Sequence, residues 1–262
     1  MSYSFHKHRS PHHDGVRPSP IFLGIVLVTA LGGALAWDAD LNSWRAKVGV
    51  FILVVGGWIV SLCLHEFAHA YVAWRAGDHE VSARGYLTLN PLKYSHPVLS
   101  IALPLVFIAL GGIGLPGGAV YLDTSRFKRS VRQLVSAVGP ASNALCAIVL
   151  LVVIKICGSM HEGAAFWFGL SFLAYLQITA TILNALPVPG LDGFGVIEPL
   201  LSYQARQTAA QIAPFGMLIV FAVVFYTPLN TVFFSVTDWL FSLSGVPDIW
   251  AAYGNYLTRF WK

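Results

Sequence analysis

A pair of histidines with a glutamate beside the first stands out in the sequence, at His65-Glu66-Phe67-Ala68-His69. If this segment is helical, His65 and His69 lie four residues apart on one face, and both imidazoles can reach a single ion. Glu66 then lies beside that ion as a candidate general base. Two His ligands and a Glu at this spacing are typical of zinc peptidases, where zinc lowers the pKa of water to about 7.

A catalytic zinc takes three protein ligands and keeps one position open, so a third ligand must lie elsewhere. Val72 and Arg75 occupy the positions where the metzincin extension needs Gly and His, which excludes that class. The other histidines and most carboxylates fall in loops or tails, which leaves Asp192, Glu198 and Asp238. Asp192 follows a Pro-Val-Pro-Gly break that can turn a carboxylate toward a cavity at membrane depth. We predict it as the third ligand, with a cap of the following helix as the alternative.

The composition indicates a membrane environment. Of 262 residues, 56% are hydrophobic and only 11% are charged, whereas a soluble domain carries roughly 25% charged residues. Ionisable side chains inside a membrane span are costly, so a His-Glu-His group there favours function over the alternative of polar contacts that hold helices together. The net charge of +4 comes from residues scattered between apolar stretches, which is a topology signal and does not indicate a nucleic-acid partner.

The predicted fold class is an all-α polytopic membrane protein with about six transmembrane helices. The predicted spans are Ile21–Trp37, Val48–Ala76, Leu134–Cys157, Ala164–Leu186, Ile212–Tyr226 and Leu229–Val246. A short β-hairpin or re-entrant segment is expected between the second of these helices and the third. The β character is predicted for the stretch from Tyr86 to Pro91, which ends in a turn pair.

Four motifs occur in the order found in one family of membrane enzymes. They are His65–His69, Leu87–Lys93, Gly139-Pro140-Ala141-Ser142-Asn143, and Asn184-Ala185-Leu186-Pro187-Val188-Pro189-Gly190-Leu191-Asp192-Gly193. Together they resemble the site-2 protease family of intramembrane zinc metalloproteases, in a minimal form without a PDZ insertion or a nucleotide-sensing domain. The matches are spread over about residues 60–200, and outside that core the resemblance is only hydrophobicity.

The resemblance implies a set of site residues. The ligands of one Zn²⁺ per chain are expected to be His65, His69 and Asp192. Glu66 is expected to be the catalytic base. The side chains expected to contact the substrate or the oxyanion are Asn143 and Asn184, although Asn184 can equally orient the proline-rich break. The residues expected to pair with an extended substrate strand are Leu87, Thr88 and Leu89.

All three zinc ligands must lie at one depth in the membrane, and this constrains the topology. With a cytoplasmic N-terminus the first span runs outward and the second returns, so the active site lies toward the cytoplasmic face. Asp192 reaches that depth only if Val98–Leu115 enters and leaves on the cytoplasmic side without crossing. With this topology, 13 of the 16 Lys and Arg residues lie in the cytoplasm, as the positive-inside rule requires. The remaining three are Arg45, Lys47 and Lys155.

The sequence therefore predicts an enzyme of a bacterial cell membrane that hydrolyses a peptide bond in or near the transmembrane segment of a membrane-protein substrate. Residues 1–18 are expected to be a disordered cytoplasmic tail, residues 19–246 the protease domain with its catalytic core at about 48–202, and residues 247–262 a short C-terminal tail. Its partners would be the substrate and the lipid bilayer, and no oligomeric state is indicated. Two alternatives remain: a membrane zinc transporter or metal-binding protein without peptidase activity, and a non-catalytic adaptor.

Overall fold

The computed structural model describes residues 15–94, 127–216, 219–220, 222 and 228–261. In these ranges the regular structure is helical throughout, with no strand. The α-helices are α1 (Pro20–Trp37), α2 (Trp44–Arg75), α3 (Glu80–Ala83), α4 (Arg129–Cys157), α5 (Ala164–Ala185), α6 (Asp192–Ile197), α7 (Tyr203–Ile212), α8 (Leu229–Ser242) and α9 (Asp248–Thr258). Short 3-10 helices occupy Tyr86–Thr88, Pro91–Lys93, Glu198–Leu200 and Ala213–Phe215.

Four of the described helices, α1, α2, α4 and α5, are long and apolar enough to cross a membrane, and they match the first four predicted spans. The predicted span Leu229–Val246 contains α8, which has 14 residues. At 1.5 Å per residue α8 is about 21 Å long, shorter than a hydrocarbon core of ~30 Å. The predicted span Ile212–Tyr226 lies largely outside the described residues, and the predicted re-entrant segment Val98–Leu115 lies wholly outside them.

Small residues bring α1 and α2 close together as antiparallel neighbours. A Cβ atom at Gly49 would lie 2.8 Å from the backbone nitrogen of Ala36, and one at Gly32 would lie 2.6 Å from a side chain of α2. Glycines at such contacts are the usual means by which membrane helices approach closely. Away from this contact α1 exposes large apolar side chains, Leu27 and Leu31 among them, as expected of a face that meets lipid.

Helix α5 is the most buried of the four long helices. In its most apolar stretch of 18 residues 72% are buried inside the protein, against 22% in α1. It packs against α2, α4, α8 and α9. Phe168 and Leu176 of α5 share the main hydrophobic core with Val50 of α2 and Leu151 of α4. A polar side chain in such a helix must find a hydrogen-bond partner, and Gln177 is one of these buried polar residues.

The C-terminal segment, predicted as a short tail, forms α9 and packs on α5 and α2. Gly254 permits this contact, because a Cβ atom there would collide with the carbonyl oxygen of Phe168. The rings of Trp250 and Tyr253 lie 5.8 and 5.3 Å from that of Phe168, measured between centroids. Trp250 therefore packs against the main hydrophobic core, whereas Tyr253 is exposed.

The predicted β structure between Tyr86 and Pro91 is wrong, because residues 86–88 and 91–93 form 3-10 helices. Gly85 and Leu89 flank the first of these with positive φ angles of 76° and 56°, which turn the chain at both ends. The consecutive residues Tyr86 and Leu87 are both buried in one cluster, whereas the side chains of a strand alternate between faces. Burial of neighbouring side chains on one side has overridden the apparent alternation.

Candidate metal centre

Helix α2 presents the His-Glu-His motif in the interior of the protein. It runs unbroken for 32 residues, so its period sets His65 and His69 one above the other, with ring centroids 4.8 Å apart. His65, Glu66 and His69 are 6%, 2% and 6% exposed. The two Nε2 atoms lie 3.1 Å from each other, close enough to bind one ion.

Asp192 reaches these histidines because the chain reverses after α5. The helix ends at Ala185, and two prolines in the next four residues cannot continue its hydrogen bonding. Gly190 then adopts a φ of 97°, a conformation that favours glycine. Asp192 begins α6, whose N-cap position is Leu191 and whose start has no side-chain capping bond. The chain reversal thus directs the Asp192 carboxylate toward α2, and the helix-cap alternative is not observed.

The other two candidate ligands have different partners. Glu198 accepts a hydrogen bond from Arg132 at 2.9 Å, which ties the end of α6 to α4. Asp238 accepts one from the hydroxyl of Tyr175 at 2.7 Å. In the part of the chain that the structure describes, His65, His69 and Asp192 are the one group of three such side chains close enough to bind a metal.

The spacing of the three ligand atoms fits zinc. Oδ2 of Asp192 lies 3.1 Å from Nε2 of His65 and 3.3 Å from Nε2 of His69. Tetrahedral zinc ligands at roughly 2.0–2.1 Å from the ion are separated by about 3.3 Å. Oδ2 is also buried and has no hydrogen-bond partner among the described residues. A buried carboxylate oxygen facing two imidazole nitrogens in this way is the environment that a cation would complete.

The outer nitrogens of both imidazoles are held by hydrogen-bond acceptors. Nδ1 of His65 donates to Oδ1 of Asn143, and Nδ1 of His69 donates to the carbonyl oxygen of Val135, both at 2.5 Å. With the protons on Nδ1, the lone pairs of both Nε2 atoms face Asp192, which is the tautomer that a metal requires. Burial raises the pKa of the Asp192 carboxyl, but protonated imidazoles at His69 and His65 would outweigh burial and hold that pKa below its ordinary value, and a bound cation would act in the same direction.

Helix α4 comes unusually close to the ligands at Gly139. A Cβ atom there would lie 2.7 Å from Nε2 of His65, and closer still to Nε2 of His69. Gly139 therefore leaves room for an ion beside the two Nε2 atoms. The sequence motif contains this glycine, but only the packing of α4 on α2 shows what it does.

The remaining predicted site residues lie at different positions around this centre. Glu66 is buried next to His65 and is close enough to His69 to interact with it electrostatically. Asn184 is also buried, at the end of α5, and its side chain makes no hydrogen bond to the described residues. Leu87 and Leu89 are buried, and the Thr88 carbonyl accepts a hydrogen bond from the Ser19 amide at 2.8 Å. Residues 87–89 therefore do not form an open strand edge.

Sequence reasoning missed Gln177, Ser61 and Val135, which surround the ligands from three helices. Gln177 and Ser61 are both buried, and the amide of Gln177 joins Asn143 to Ser61. A glutamine inside an apolar span was the available signal for this group. The carbonyl of Val135 carries no signal in the sequence, because every residue has one.

The chain is similar in sequence to several known bacterial proteins. A Mycolicibacterium smegmatis protein named "Putative zinc metalloprotease Rip2" is 51% identical over 253 residues, which cover 96% of this chain and 97% of that protein. The Mycobacterium tuberculosis protein of the same name is 50% identical over 251 residues, with coverages of 95% and 96%. The Bacillus subtilis protein named "Putative zinc metalloprotease YwhC" is 38% identical over 181 residues, with coverages of 66% and 80%. No protein-family model and no solved structure matches.

Proposed function

Because the chain belongs to the site-2 protease family, we propose that it is a zinc metalloprotease that cleaves a peptide bond in or near the transmembrane segment of a membrane protein. The observation that carries the proposal is the convergence of His65, His69 and Asp192, with ligand atoms 3.1–3.3 Å apart, beside the buried Glu66. Zinc bound there would polarise the scissile carbonyl and lower the pKa of water to about 7.

Glu66 is the proposed general base. Its place in α2, directly after His65, sets its carboxylate beside the ligands. Its burial shields the carboxylate from bulk water. Glu66 would accept a proton from the attacking water and deliver it to the amine that leaves. His65 and His69 cannot take this role, because their Nδ1 protons are engaged and their Nε2 lone pairs would bind the ion.

The site is proposed to lie toward the cytoplasmic face. In the antiparallel bundle the end of α2 meets the beginning of α4, as the bond from His69 to Val135 requires. The Ser19 amide, just before α1, is bonded to residue 88, just after α2. The chain therefore leaves α2 and enters α4 at the end of the bundle that also holds the start of α1. This supports a segment 95–126 that begins and ends on one side, and the positive-inside rule assigns that side to the cytoplasm.

Asn184 is the proposed contact to the substrate backbone or the oxyanion. Asn184 is 8% exposed and lies at the end of α5, eight residues before Asp192. Asn143 was predicted for the same role, but it already accepts from His65 and donates to Gln177. We therefore assign substrate contact to Asn184 and the support of His65 to Asn143.

The test is to replace Glu66 with Gln and measure zinc and cleavage separately. The E66Q protein should keep its zinc, because no ligand changes, and should leave membrane substrates uncleaved in quantitative membrane proteomics. His65→Ala should lose both zinc and cleavage. Glu80→Gln is the matched control, since the Glu80 side chain is 73% exposed and pairs with Arg84 outside the site. Full cleavage by the E66Q protein would refute the assigned base, and zinc flux into vesicles without any cleavage by the unmodified chain would favour a transporter.

A further inference from the structure

A line of buried hydrogen bonds leads from the ligand His65 across three helices to the backbone of α2. Nδ1 of His65 meets Oδ1 of Asn143 at 2.5 Å, and Nδ2 of Asn143 donates to Oε1 of Gln177 at 3.0 Å. Nε2 of Gln177 donates to the hydroxyl of Ser61 at 2.8 Å, and that hydroxyl donates to the carbonyl of Trp58 at 2.8 Å. The line joins α4 and α5 to α2 and returns to α2 less than two turns before His65.

We propose that Gln177 is a positioning residue of the metal centre, which acts through Asn143 to hold His65 in the tautomer that binds zinc. This inference rests on the proposed zinc protease function. It assigns a role to a residue that touches neither the ligand atoms nor the substrate. The role depends on which end of each side-chain amide, the oxygen or the nitrogen, faces its neighbour.

The direction of the line is set at its far end. A backbone carbonyl such as that of Trp58 can only accept, so the Ser61 hydroxyl must donate to it. The Ser61 oxygen then accepts from the amide nitrogen of Gln177, which turns Oε1 of Gln177 toward Asn143. Because Oε1 of Gln177 can only accept, the amide nitrogen of Asn143 must face it. The amide oxygen of Asn143, Oδ1, then faces His65. Each donor is matched to one acceptor.

The opposite orientation of Asn143 would disable the ligand. If the amide group of Asn143 turned by 180°, its N–H groups would face Nδ1 of His65. The imidazole would then carry its proton on Nε2, where the metal must bind. Without Gln177 the two orientations of Asn143 are no longer distinguished by a partner on α5. The second imidazole has no such weakness, because His69 donates to the carbonyl of Val135, which cannot reverse.

The alternative explanation is that Gln177 only holds helices together, as buried polar residues often do between membrane helices. Gln177 is fully buried, and Asn143 and Ser61 are 4% and 6% exposed, so loss of a bond would cost stability under either explanation. The two explanations differ in metal affinity. If the role of Gln177 is purely structural, removing its amide lowers the stability of the metal-free protein and leaves the zinc affinity of the folded protein unchanged.

The experiment measures Zn²⁺ and Co²⁺ affinity by chelator competition in the purified full-length protein, together with the visible spectrum of bound Co²⁺ and the melting temperature without metal. Gln177→Met keeps the length of the side chain but removes its acceptor, and should weaken metal binding by about 10–100-fold, the usual effect of losing an outer-shell partner. Gln177→Glu keeps an acceptor toward Asn143 and should keep metal affinity within about threefold of the original, which is less than the 10–100-fold loss expected of Gln177→Met. Thr179→Val is the matched control on α5, because Thr179 is fully buried but bonds only its own helix.

A double-mutant cycle separates the positioning role from loss of packing. Asn143→Asp offers His65 an acceptor in either orientation, so in that background Gln177→Met should no longer change metal affinity. Where Gln177→Met does not fold, Ser61→Ala removes the far end of the line and should lower affinity in the same direction. Equal metal affinity in the unmodified protein, Gln177→Met and Ser61→Ala would overturn the inference while leaving the zinc site intact. Absence of metal binding by the unmodified protein would overturn the proposed function as well.

Discussion

Replacing Gly139 with alanine should remove zinc from the protein, although the same change in a helix is ordinarily favourable. Alanine exceeds glycine in helix propensity by about 1 kcal/mol, so an unconstrained site on α4 would gain stability. At Gly139 the new methyl group would lie 2.7 Å from Nε2 of His65 and closer to Nε2 of His69. The expected result therefore depends on how far the imidazoles must move.

The required movement can be worked out from the structure. An ordinary van der Waals contact of a Cβ atom begins at 3.4 Å, so Nε2 of His65 must retreat by 3.4 − 2.7 = 0.7 Å, and Nε2 of His69 by more. Ligand distances in a zinc site are held to within about 0.2 Å. At least one imidazole therefore ceases to be a ligand. Because loss of an outer-shell partner alone costs about 10–100-fold in metal affinity, we expect Gly139→Ala to cost more than ~100-fold.

The assay is zinc content after purification, together with Co²⁺ titration and thermal unfolding of the metal-free protein. Gly24→Ala is the control, because Gly24 lies in α1 with nothing within 4 Å of its would-be Cβ atom. Gly24→Ala should bind zinc normally. Zinc binding by Gly139→Ala with unchanged affinity would refute the reasoning, since it would mean that α4 does not pack against the ligand face as described.

Two further predictions concern the loop before Asp192 and the topology. Gly190→Ala should destabilise the protein by about 1–3 kcal/mol, the cost of a strained φ, because its φ is 97° and its Cβ atom would lie 2.7 Å from a backbone oxygen after α7. It should also weaken zinc binding, since this loop orients Asp192; thermal unfolding with and without zinc measures both, and an unchanged melting temperature would contradict the assigned strain. In a cysteine-free background, Ser130→Cys should react with an impermeant thiol reagent only from the cytoplasmic side and His161→Cys only from outside, and labelling of Ser130→Cys from outside would refute the topology.

Much of the site could be predicted from local sequence, because local periodicity determines it. A helix of 3.6 residues per turn places His65 and His69 on one face wherever that helix lies. Long apolar stretches predict the helices that can span a membrane. Asp192 could be selected among the carboxylates because prolines and glycines around it break a helix in a recognisable way. The β prediction at residues 86–91 failed because alternation in so short a segment is weak evidence. The burial of Tyr86 and Leu87 in one cluster, which is a tertiary effect, decided the structure there.

The sequence by itself determined the four long apolar helices and the placement of His65 and His69 on one helix face, because each depends on residues a few positions apart. The tertiary structure decided what surrounds the proposed metal site. The bonds from His65 to Asn143 and from Gln177 to Ser61 join residues 78 and 116 positions apart, and the room beside Gly139 depends on how closely α4 packs on α2. Such contacts depend on the register and distance between helices, which result from the packing of all their side chains and cannot be derived from one motif.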